Sequence, residues 1–155
     1  PIEAVGLNKK DFKDKAIELL TLAGLTGFED RYPYELSGGM QQRVAICRAL
    51  IHDPSLLLMD EPFGSLDAFT REQMNVELLR IWEQNRKTVI FITHDIEEAV
   101  FMADAVFVMT PRPGRIASRI EIPLSRPRKK EAKGTVAFGE QANAIRRMLG
   151  LIMAP

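Results

Sequence analysis

The sequence predicts an α/β fold, a partial parallel sheet flanked by helices, and three observations carry that expectation. Short apolar runs at residues 56–59, 88–92 and 105–109 alternate with segments of helical periodicity. The first two runs are continuous rather than alternating, as in strands covered on both faces. Each of those two closes on a cluster of polar residues, the place where open α/β sheets hold their ligands.

Taken in order, residues 8–24 read as an amphipathic helix. Asn8 is its expected cap, with Asp11 in its first turn. Phe12, Ala16, Ile17, Leu20 and Ala23 are expected on one face, and Gly24 as the stop. Residues 28–36 form a polar and aromatic connection containing Pro33. A second helix is expected over 39–51, opened by Ser37-Gly38-Gly39, with Met40, Val44, Cys47 and Ala49-Leu50-Ile51 at apolar positions. Pro54 forbids its continuation. The first strand follows, closed by Asp60-Glu61. Asp67 then caps a helix over 68–85 that turns Met74, Leu78, Ile81 and Trp82 inward.

The second strand, 88–93, leads to Asp95 as the cap of the next helix, with Glu98 completing a capping box. A third strand spans 105–109. Pro111 to Gly114 make a turn, and 116–122 alternate as an edge strand would. Residues 125–134 are a basic, proline-containing linker, expected to be solvated. A last helix around 140–152 presents Ile145, Met148, Leu149 and Ile152. The division expected is a helical portion at 1–52, an α/β core portion at 53–124, and a linker with a C-terminal helix at 125–155.

Composition narrows the function classes. The 155 residues are 46% apolar and 27% charged, with 21 basic and 21 acidic side chains, so no net field points to nucleic acid or a membrane surface. A single cysteine, Cys47, forms no internal disulfide and suits a reducing compartment, and its place on an apolar stripe makes it core filler. No apolar run approaches the roughly 20 residues that span a bilayer.

The polar clusters suggest phosphate chemistry. A serine-capped helix that opens on two glycines offers bare N–H groups and a positive dipole end to an anion. Asp60 is suited to Mg²⁺, which prefers hard oxygen ligands. Glu61 can polarise an attacking water, and His94 can donate a hydrogen bond to a phosphoryl oxygen. Taken singly, each has a bland alternative: a capped turn, a solvated strand end, a helix-start residue.

Together, LSGGMQQRVAICRAL, LLLMDEPFGSLD and FITHD resemble the ATPase subunit of ATP-binding cassette (ABC) transporters, almost continuously from residue 32 to 122. The resemblance implies a P-loop NTPase-like core with part of a helical subdomain. It implies that Ser37, Gly38 and Gly39 form the signature loop, which meets ATP held by a second ATPase subunit in a head-to-tail dimer, with Gln41 and Gln42 just behind it and Gln41 counted among the nucleotide-binding residues. It makes Asp60 the magnesium-associated aspartate, Glu61 the catalytic base, Asp67 the aspartate that crosses the dimer, and His94 the switch histidine. ATP and Mg²⁺ are the implied cofactors. The implied partners are transmembrane permease subunits and, indirectly, a substrate-binding protein, with no nucleic acid, at the cytoplasmic face of the inner membrane. DEPFGSLDAFTREQM, THDIEEAVFMAD and VMTPRPGRI are similar to importer ATPases for taurine, sulfonate and nitrate.

The chain departs from the family pattern in one respect. It contains no GxxxxGK[ST], whose amides and lysine cradle phosphates, and Lys133-Gly134-Thr135 has the wrong order. Val5-Gly6-Leu7 is similar to the stretch beyond the family's glutamine loop, so the expectation is a C-terminal fragment with weak nucleotide binding and negligible hydrolysis by itself. Competing readings are an importer ATPase for another small organic solute, a non-transport ABC ATPase, and a regulatory module on the same scaffold. The last has no need of Glu61 and His94. Non-transport members usually carry long insertions, whereas Ser37 and Glu61 here stand 24 positions apart.

Overall fold

A computed structural model describes residues 9–84 and 86–153. The chain divides into two compact units, 1–90 and 91–155, the division falling inside a strand. The cap expected at Asn8 and the stretch Val5-Gly6-Leu7 lie outside the described residues.

In the first unit a short 3-10 turn, Lys9–Phe12, leads into α1 (Lys13–Leu22). Its end is a Schellman motif. Gly24 has φ +66°, its N–H donates to the Thr21 carbonyl at 3.0 Å, and the Leu25 N–H donates to the Leu20 carbonyl at 2.8 Å. The buried stripe of α1 runs through Leu19 and Ala23, while Ile17 is exposed, contrary to expectation. At about 100° per residue, positions 12, 16, 19 and 23 share a face, and position 17 lies one step off it.

Helix α2 (Gly38–Leu50) packs on α1 and on α3 (Ala68–Gln84). Ile46, Cys47, Leu50 and Ile51 are its buried side, and Ala49 is exposed. From α3, Met74, Leu78 and Ile81 are buried as expected, joined by Leu79 and Asn75, with Trp82 half-buried. The Trp82 indole N–H donates to the Lys87 carbonyl at 2.8 Å.

Strand β1 (Leu56–Asp60) pairs with β2 (Thr88–Ile92). The continuous apolar runs suit strands covered on both faces, but here one face is open. Leu57 and Met59 are buried, but Leu56 and Leu58 are 51% and 65% exposed, and Ile90 is exposed as well. Successive side chains of a strand point to opposite faces, and the described elements of this unit cover only one of them.

The second unit holds α4 (Ile96–Met102), β3 (Ala105–Met109), β4 (Ile116–Glu121) and α5 (Val136–Met153). Here too the sheet differs from expectation. β3 and β4 form an antiparallel hairpin, with Ala105 opposite Glu121 and an irregularity between Val108 and Met109. A connection of six residues is too short for a parallel crossover, so the turn dictates the direction. Helix α5 starts earlier than the periodicity suggested and packs on α4, β3 and β4 through Phe138, Ala142 and Ile145.

The largest correction concerns the basic linker. Arg128 is 4% exposed, and its guanidinium donates to the carbonyls of Val100, Phe101, Ala103, Ile122 and Leu124. A solvated run was expected because arginine is rarely buried; here a short helix leaves carbonyls that need a donor, and one fork serves several of them. Burial lowers the Arg128 pKa to about 10, with Arg126 adding to the effect and Asp104 opposing it, so it stays charged at neutral pH. Among the described residues no helix is long and apolar enough to cross a membrane.

Candidate functional site

Ser37 opens the site. Its backbone is extended at φ −63°, ψ 160°, and its Oγ accepts from the Met40 N–H at 3.3 Å, so it is the cap of α2 as the sequence suggested. Gly38 and Gly39 then form the first turn, where N–H groups have no partner inside the helix. A Cβ on Gly38 would meet nothing within 4 Å, which leaves its backbone open to a close approach.

Facing this turn is the start of α3. Asp67 Oδ1 accepts from the Thr70 N–H at 3.0 Å and the Asp67 carbonyl accepts from the Arg71 N–H at 2.9 Å, the expected cap. The Thr70 hydroxyl, and then its N–H, hold the exposed Asp67 carboxylate below its ordinary pKa. Between the two helix starts lies an open cleft of about 470 Å³. Ser37, Gly38 and Gly39 line one side, Ser65, Leu66 and Asp67 the other, and Arg43 and Glu77 also border it. The structure thus brings four of the predicted residues together.

Gln41 follows within α2. Its amide donates to the carbonyls of Pro33 at 2.9 Å and Leu36 at 3.1 Å, so it fastens the preceding loop to α2. Gln42 donates to the Pro62 carbonyl and ties α2 to the loop after β1. Arg43, which sequence reasoning passed over, donates through Nη1 to the Ala23 carbonyl at 3.1 Å and joins α2 to the end of α1. No periodicity marks such a residue, because its partner is a backbone carbonyl 20 positions away.

Asp60 and Glu61 close β1, both exposed and outside the lining of the cleft. Glu61 has φ +41°, an uncommon backbone for a residue with a side chain, and its carbonyl accepts from the Gly64 N–H at 3.1 Å. A Cβ on Gly64 would lie 3.3 Å from Glu61 Oε2, so the glycine makes room for that carboxylate. His94 belongs to the second unit and is exposed. It sits within a local turn in which the Asp95 N–H donates to Thr93 Oγ1 at 3.0 Å, and Asp95 Oδ1 accepts from the N–H groups of Glu97 and Glu98. Thr93 thus serves the cap's own N–H, a part the sequence reading gave to Glu98. No three or more His, Cys, Asp or Glu side chains gather as a metal cage among the described residues.

Comparison with known proteins agrees with this geometry. Residues 3–64 match the ABC transporter family. An ABC transporter ATP-binding protein of Methanocaldococcus jannaschii is 53% identical over 127 residues, 82% of this chain and 48% of the relative. An aliphatic sulfonates import ATP-binding protein of Bacillus anthracis is 52% identical over 83% of this chain and 51% of the relative. A taurine import ATP-binding protein of Pseudomonas syringae is 48% identical over 97% of this chain and 55% of the relative. The structure of CbiO1 from Clostridium perfringens, part of the ABC transporter complex CbiONQ, superposes with a TM-score of 0.69 at 26% identity, over 98% of this chain and 58% of that one. The chain therefore has the fold and the sequence pattern of the ABC transporter ATP-binding family. It spans about half the length of the curated relatives it matches.

Proposed function

We propose that the chain is part of an ATP-binding and ATP-hydrolysing subunit that powers an ABC importer for a small anion such as a sulfonate, taurine or nitrate. The observation that carries this reading is the meeting of Ser37, Gly38 and Gly39 with Asp67 on one open cleft. A glycine turn with an open approach beside a helix N-terminus suits a phosphate. The cleft then serves ATP held by a second ATPase subunit.

In this reading Asp60 would hold Mg²⁺ as a hard oxygen ligand, and the bound ion would supply charge neutralisation for phosphoryl transfer. Glu61 accepts a proton from the attacking water at its carboxylate, for which Gly64 leaves room. His94 donates a hydrogen bond to a phosphoryl oxygen. Asp67 reaches the dimer mate, while Gln41 and Gln42 hold the signature turn in place. The subunit stands at the cytoplasmic face of the membrane, where it meets permease subunits and, through them, indirectly a substrate-binding protein.

Uptake into vesicles tests the substrate class. The protein carrying this chain, purified with its membrane subunit, is expected to drive ATP-dependent uptake of taurine, an alkanesulfonate or nitrate. Hydrolysis stimulated only by an unrelated organic solute overturns that class; co-purification with ribosomes or DNA overturns the transport role. Isothermal titration of the 155-residue chain with MgATP is expected to show no micromolar binding.

A further inference from the structure

Helix α4 is seven residues long, too short to be stable by itself, and both its ends are held from outside. Asp95 Oδ1 takes the N–H groups of Glu97 and Glu98 at 2.9 and 3.1 Å. At the other end the Ala99 carbonyl accepts from the Ala103 N–H at 3.0 Å. The next four carbonyls fall to two arginines from the segment after β4. Arg128 Nη1 donates to Val100 and Phe101, each at 3.1 Å, and to Ala103 at 2.6 Å. Arg126 Nη2 donates to Met102 at 2.7 Å, and its Nε pairs with Asp104 at 2.8 Å. The second arm of Arg128 reaches Ile122 at 3.3 Å and Leu124 at 3.1 Å, the exit of β4.

We infer that Arg128, assisted by Arg126, is a positioning residue for His94 that acts through α4. The cationic fork fixes the helix to the end of the hairpin, and complements the negative end of its dipole. The helix in turn fixes Asp95, whose N–H grips Thr93 Oγ1 at 3.0 Å, and His94 is the residue between them. The sequence segment read as a linker thereby sets where the histidine stands. Its catalytic consequence rests on the reading of His94 given above; its structural part does not.

The test exploits the fact that the chain has two histidines, His52 and His94, in different units. In imidazole ¹H–¹⁵N spectra of the 155-residue chain, Arg128→Met is expected to shift or broaden the His94 signals and leave those of His52 in place. Arg128→Lys, which keeps the charge but not the fork, is expected to restore them in part. An unmoved His94 in a folded Arg128→Met variant overturns the inference. Should circular dichroism show that variant unfolded, Arg126→Gln, which leaves the five Arg128 bonds intact, decides by the same spectrum. In the protein carrying this chain, Arg128→Met is expected to lower kcat for ATP on the order of ten- to a hundredfold with KM unchanged. A displaced His94 with unchanged kcat keeps the positioning and removes His94 from the hydrolytic reading; lost kcat with an unmoved His94 overturns the positioning.

Discussion

Gly39 and Thr70 approach each other across the cleft so closely that a Cβ on the glycine would lie 3.4 Å from Thr70 Cγ2. That is ordinary van der Waals contact, so even here an alanine fits, and at Gly38 it meets nothing. Neither glycine has positive φ. Packing within this chain therefore does not require either residue to be glycine. Gly38→Ala is expected to raise stability by about 0.5 kcal/mol, through loss of unfolded-state freedom, in urea titrations. The same change is expected to lower ATP-driven activity of the protein carrying this chain on the order of tenfold or more, because the methyl occupies the approach to the N–H groups. Equal activity in the stabilised variant would remove the cleft from the proposed mechanism.

Asp67 combines a cap with a charge, and pH separates them. Its folded pKa lies below the ordinary 3.8, held down first by the Thr70 hydroxyl. A depressed carboxylate contributes stability that is present above its unfolded pKa and lost as pH falls through the folded value. Thermal unfolding followed from pH 5 to pH 2 is expected to show a fall in Tm below about pH 4. Asp67→Asn, which still caps α3, is expected to flatten part of that fall while leaving Tm near pH 7 little changed.

How much of this was legible in the sequence depends on the range of each interaction. The caps at Ser37, Asp67 and Asp95, the stop at Gly24 and the strand end at Asp60 rest on neighbours a few positions away, so local pattern reveals them. The antiparallel pairing of β3 with β4 was readable from the short turn but was overridden by the parallel habit of the preceding strands. Arg43 and the grip of Arg128 on α4 escaped because those partners are backbone carbonyls about 20 to 28 positions away, which side-chain periodicity does not encode. Leu56 and Leu58 are apolar and yet exposed. Their apolar character calls for a cover that the described elements of the first unit do not supply.

Cys47 is a chemical probe of the packing between α1 and α2. Its thiol is buried, donates to the Leu19 carbonyl at 3.3 Å, and is pushed up to about 11, chiefly by burial. A raised thiol pKa keeps the nucleophilic thiolate scarce until the pH exceeds it. At pH 8, alkylation of the native chain by iodoacetamide is expected to run on the order of a hundredfold slower than in guanidinium chloride. A native rate close to the denatured one would mean that the α1–α2 seam opens readily.

Glu61 offers a way to separate backbone strain from chemistry. Its φ of +41° costs a residue with a side chain about 1 kcal/mol, and a glycine would not bear that cost. Glu61→Gly is therefore expected to stabilise the chain by up to about 1 kcal/mol, whereas Glu61→Gln keeps the strain and leaves the urea midpoint unchanged. In the protein carrying this chain both variants are expected to lose hydrolysis on the order of a hundredfold or more, since neither has a carboxylate to take the water's proton. Nucleotide binding is expected to persist in both. A Gln variant that hydrolyses normally would remove Glu61 as the base, and a Gly variant less stable than the parent would show that the left-handed turn is held by the glutamate side chain itself.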